Sequence, residues 1–100
     1  MIEIRKYIRN GLSPFDERFN RIKDKQAKSR ITARLTRLSM GNAGDYKQLD
    51  QHLFELRIDT GKGWRVYYTK QGNDIVLLML VGDKTQQSKD IKEIRSWLDE

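Results

Sequence analysis

The chain has 100 residues, one domain's worth, and 37% hydrophobic residues, too many for a disordered segment. It contains no cysteine, which excludes disulfides and cysteine-bound zinc, and its longest apolar run, Ile75 to Val81, is far too short to cross a bilayer. Twenty lysines and arginines against fourteen acids give a formal charge of +6, which favours a polyanionic partner, nucleic acid first and an acidic protein second.

In chain order, Ile2, Ile4 and then Tyr7-Ile8 alternate with charges as in a short half-buried strand, and Asn10-Gly11 ends it. No apolar core of a signal peptide is visible in residues 1–12, so the expectation is a soluble cytoplasmic protein. Ser13-Pro14 opens a helix, with Asp16 where a capping partner would reach back and Phe15, Phe19 and Ile22 at helical spacing. A second helix runs from about Lys25 to Met40 with Ala27, Ile31, Leu35 and Leu38 inward. Beside that stripe runs a basic one, Arg30, Arg34 and Arg37, either a phosphate track or simply a solvated face. Gly41-Asn42 stops the helix.

Beyond Gly44 the period becomes two. Phe54, Leu56 and Ile58 face the core while Glu55 and Arg57 face the other way. Residues 59–63 are a turn, Trp64 to Tyr68 the returning strand, and Gln71-Gly72-Asn73 a second turn. Ile75 to Val81 suits a strand buried on both faces, and Gln86 to Asp99 forms a last helix with Ile91, Ile94 and Leu98 inward. The order β-α-α-β-β-β-α is a single α+β domain over 1–100, an antiparallel meander with helices packed against it.

A turn centred on Gly61 pairs the two strands symmetrically. Arg57 then falls opposite Arg65 and Glu55 opposite Tyr67, while Leu56–Val66 and Phe54–Tyr68 share the other face. Like charges directly opposite on a sheet destabilise it. Two compensations are open: Glu55 nearby, or an anion gripped by two guanidinium forks. Lys84 after the central strand and Lys47 before the hairpin are candidates to converge on the same cationic site. The single histidine, His52, reads as a surface or structural residue, no metal-ligand spacing exists, and Gly61-Lys62-Gly63 reads as turn chemistry rather than a phosphate loop.

Glu55-Leu56-Arg57, Gly63-Trp64-Arg65-Val66-Tyr67-Tyr68 and Gly82-Asp83-Lys84 with Asp90-Ile91, taken as a set, resemble the HigB-like branch of the RelE/ParE toxins, also described as phage-derived Gp49-like or addiction-module killer proteins. The resemblance covers the chain from about Ile22 to Leu98 and implies the RelE-like fold. It implies a toxin of a type II toxin-antitoxin system, a ribosome-dependent and metal-independent mRNA endonuclease without cofactor. Its partners would be the ribosome, mRNA and a helix-turn-helix, HigA-like antitoxin; operator DNA would be met only through the antitoxin, and no membrane is involved. By the same resemblance Arg57, Arg65 and Lys84 are catalytic basic residues that together with Lys47 bind RNA phosphates; the chemistry, rather than the resemblance, offers Lys84 as acid and Glu55 or Asp90 as base. The tyrosine and histidines that some members carry in the C-terminal segment are absent here, with Asp90 standing nearby. The same scaffold serves ParE-like gyrase inhibitors, and a degenerate module that only binds antitoxin or nucleic acid is the other alternative.

Overall fold

Helix starts follow from cap chemistry. In the computed structural model, which describes residues 1–100, Ser13 Oγ accepts the Asp16 N–H at 3.1 Å and Pro14 begins helix α1 (Pro14–Arg21). The Asp16 carboxylate does not reach back to complete a capping box; it pairs with Lys6 at 2.8 Å. Helix α2 (Lys25–Ser39) is capped by Asp24, whose Oδ1 accepts the N–H groups of Gln26 and Ala27. It buries Ala27, Ile31 and Leu38, three members of the expected apolar stripe, while Leu35 packs partly buried against the same core.

The sheet has five strands: β1 (Glu3–Lys6), β2 (Tyr46–Gln48), β3 (Leu53–Ile58), β4 (Trp64–Gln71) and β5 (Ile75–Asp83), in spatial order β1-β5-β4-β3-β2. Strands β3 to β5 form the expected antiparallel meander, but β1 pairs with β5 in parallel, so the sheet is mixed rather than antiparallel throughout. The helical hairpin α1–α2 and the whole meander separate β1 from its partner, which lets the first strand run alongside the last. Strand β2 is an additional short edge strand, exposed along its length.

Period-two alternation sends alternate side chains to opposite faces. One face carries Phe54, Leu56, Ile58, Val66 and Tyr68 and packs with Phe15 of α1 and Ile31 and Leu38 of α2. The other carries Leu53, Tyr67 and Leu80 and packs with Ile94 of helix α3 (Gln87–Leu98). Both faces of β5 are therefore covered, which explains its nearly unbroken apolar sequence. Helix α3 follows a 3₁₀ turn, Lys84–Gln86, closed by a capping box between Asp83 and Gln86. Leu98, expected inward, is 43% exposed as the last residue of α3. No helix is long and apolar enough to cross a membrane.

Candidate nucleic-acid interface

The hairpin turn uses two glycines with positive φ, Gly61 at 55° and Gly63 at 76°, a region that side-chain-bearing residues rarely enter. It sets the register in which Arg57 pairs with Arg65, and Arg65 in turn lies opposite Gly82 on β5. One row along, Lys47 lies opposite Glu55 and Glu55 opposite Tyr67. The sheet face that α3 covers in part thus carries a basic row beside a carboxylate.

The two arginines of the pair have different surroundings. Arg57, with a side chain 38% exposed, donates from Nε to Glu55 Oε1 at 3.2 Å. Glu55 is fully buried, and the Gln87 amide donates to both of its oxygens, at 3.3 Å to Oε1 and 2.9 Å to Oε2. These three hydrogen bonds are what make a buried carboxylate tolerable. Arg65 is only 6% exposed, and its one short hydrogen bond runs from Nη1 to the carbonyl of Trp64, at 3.0 Å. Its nearest carboxylate, Asp59, stands at 3.8 Å, and its Nε–H is buried without an acceptor. Of the two compensations open to the pair, Glu55 therefore serves Arg57, and Arg65 is left with Asp59 at 3.8 Å as its nearest carboxylate.

Asp90 is brought to the same face from α3 but in a different state. It is fully buried, and Arg18 of α1 donates to both of its oxygens, at 2.9 Å and 3.2 Å, and to the Val81 carbonyl at 3.1 Å. The hydrogen bond to Asp90 raises the affinity of Arg18 for its proton, partly opposed by burial. The pair crosses the open side of β5, where β1 no longer runs alongside. It passes over Gly82, at which any Cβ would collide with Asp90 Oδ2 and press on Arg18 Nη1. Gly82 is thus required for close approach, and Asp90 is committed to a structural pair.

Lys84 is exposed and tied to the hairpin: its N–H donates to the Gly63 carbonyl at 2.8 Å, which holds it at the Arg65 end of the sheet. Lys47 is exposed on the edge strand. His52 is an exposed turn residue whose backbone N–H donates to Asp50 Oδ1 at 3.0 Å. Neither the contact of Gln87 with Glu55 nor the parts played by Arg18 and the Tyr67 hydroxyl were foreseen from the sequence. The spacing of Gln87 and Asp90 by three residues, which places both on one side of α3, was the available signal. The Tyr67 hydroxyl is buried without a partner; burial first, then the carboxylates of Glu55 and Asp90, push its proton release far above the usual tyrosine range, so it stays protonated.

No family model matches the chain. A protein of Haemophilus influenzae described as uncharacterized is 46% identical to it over 81 residues, spanning 81% of this chain and 82% of that one. An alignment of that depth and coverage makes the two homologues, and the chain belongs to the family of this Haemophilus influenzae protein.

Proposed function

We propose that this protein is the toxin of a type II toxin-antitoxin system, of the RelE-like fold and the HigB-like branch of RelE/ParE proteins, and that it cleaves mRNA on the ribosome without a metal. The observation that carries this reading is Arg65: a guanidinium beside a second arginine, with no carboxylate closer than 3.8 Å and a buried Nε–H lacking an acceptor. A phosphodiester supplies the paired acceptor oxygens that such a group lacks.

The chemistry needs alignment, charge neutralisation and proton movement. The 2′-OH attacks the adjacent phosphorus, its proton passes to Glu55, the 5′-oxygen leaves, and Lys84 returns a proton to it. Arg65 holds the phosphate and the negative charge that grows on it. Arg57, the more open of the two, positions the message, and Lys47 extends the phosphate contact along the edge. Glu55 is preferred over Asp90 as base because it adjoins the Arg57–Arg65 pair and touches Arg57, whereas Asp90 is held by Arg18 in a two-pronged ion pair over Gly82. The ribosome supplies the strained pose of the message, and a helix-turn-helix antitoxin masks the basic face.

Inducing the protein in bacterial cells, and probing transcripts and plasmid supercoiling separately, tests the reading. Growth arrest with cut messages and unchanged supercoiling is expected. Intact messages with inhibited gyrase would replace it with the ParE-like activity. The burial of Arg65 favours one second reading, a module that grips antitoxin or nucleic acid without cutting; it predicts neither arrest nor cut messages.

A further inference from the structure

Consecutive residues of a strand point to opposite faces, so Trp64 lies across the sheet from Arg65. Its indole packs against the larger core on one side and on the other lines a cavity of about 360 Å³, together with Arg21, Ile22, Lys23, Asp24 and Lys62. A second cavity of about 230 Å³ also includes Arg21, Ile22 and Trp64, so the two meet at the indole. Volumes of this size fall near the roughly 300–1,000 Å³ of small-ligand clefts. The Trp64 Nε1–H is buried and has no acceptor. Arg21, Lys23 and Lys62 are exposed and form no ion pair. The one acid in the cavity wall, Asp24, has its Oδ1 engaged by two backbone N–H groups at the start of α2.

We propose that this cavity is a nucleotide site, in which a base stacks on Trp64 and its phosphate lies among Arg21, Lys23 and Lys62. An aromatic wall and a cationic rim match two parts of a nucleotide, its π-face and its phosphate. An acidic peptide would satisfy the cations but leave the aromatic wall unmatched. The site stands apart from the Arg57–Arg65 face and holds whether or not that face cuts RNA. A single strand leaving Arg65 around the end of the sheet would meet it next.

The test is a titration of the ¹⁵N-labelled full chain followed at its two indole resonances, with adenosine 5′-monophosphate, adenosine, inorganic phosphate and a polyglutamate peptide as separate probes. The nucleotide is expected to shift the Trp64 indole and leave that of Trp97, which lies under Arg9, unmoved. Adenosine or phosphate alone should need about tenfold higher concentration, since each lacks one half of the contact. The double variant Lys23→Glu, Lys62→Glu alters only exposed side chains and should bind the nucleotide about tenfold more weakly or worse, with an unchanged melting temperature. The proposal is overturned by a Trp64 resonance that does not move at saturating nucleotide, or by phosphate alone acting as well as the nucleotide. It is equally overturned by polyglutamate binding more tightly than the nucleotide, or by a double variant that binds as the wild type does.

Discussion

Arg30, Arg34 and Arg37 recur along one side of α2, yet only Arg34 is built into the fold. It donates to the carbonyls of Arg57 at 2.6 Å and of Ala43 and Asp45 at 2.8 Å, and so ties the helix to the strands that carry the site. Hydrogen bonds from charged donors contribute about 1.5–3 kcal/mol each, and the three carbonyls are not independent, so Arg34→Ala should lose about 3 kcal/mol in urea unfolding. Arg30→Ala and Arg37→Ala, both exposed, should stay within about 0.5 kcal/mol of wild type. A helical repeat of like residues does not reveal this division, because the carbonyls that select Arg34 come from the segment after the helix and from β3. The same applies to Glu55. Its alternation placed it on the polar face of the hairpin, but its complete burial depends on Gln87, which the chain delivers only through α3.

At the scale of elements, the joint between α1, β5 and α3 rests on one small residue. Gly82→Ala would drive a methyl group into the Arg18–Asp90 pair, and an imperfectly paired buried charge costs several kcal/mol. A loss of about 2–4 kcal/mol in the same unfolding measurement is expected, and a variant as stable as wild type would show that the pair gives way without cost. The elements themselves were largely legible in the sequence. The β3–β4 register follows from symmetry about Gly61, and a one-residue slip would take Phe54, Leu56 and Ile58 off the face they share with Val66 and Tyr68. The parallel pairing of β1 was not legible: its partner strand lies far along the chain, and alternation within Glu3–Lys6 carries no sign of direction. Nor was β2, whose three exposed residues show no alternation. Pairs such as Arg18–Asp90 escape for the same reason, since charges that meet across the sheet leave no local pattern.

For the whole molecule, two buried tyrosines on opposite faces of β4 link stability to alkaline pH. Burial first, and then the neighbouring Tyr46, push the Tyr68 hydroxyl up to about 12, while Arg34 opposes the shift. The unfolded chain releases this proton near the ordinary value of 10. Stability is therefore full below pH 10 and declines as pH rises from 10 towards 12, because the unfolded state alone is ionised in that window. Tyr68→Phe should flatten part of this decline, as read from urea midpoints at pH 9 and 11, roughly one unit either side of the ordinary tyrosine value; an equal slope in the variant would assign the loss elsewhere. Below that range the charge of +6 and the basic row at the end of the sheet are what the proposed contact with RNA rests on. The most direct test of its function is to incubate purified protein with ribosomes programmed with mRNA and map the message ends. Wild type should cut only ribosome-bound message, with Glu55→Gln, which keeps an acceptor for Gln87, slower by about 10²–10⁴-fold and Arg65→Ala by about 10²–10³-fold. Uncut message with the wild type, or cutting by both variants at the wild-type rate, would contradict the assignment of this face to RNA cleavage.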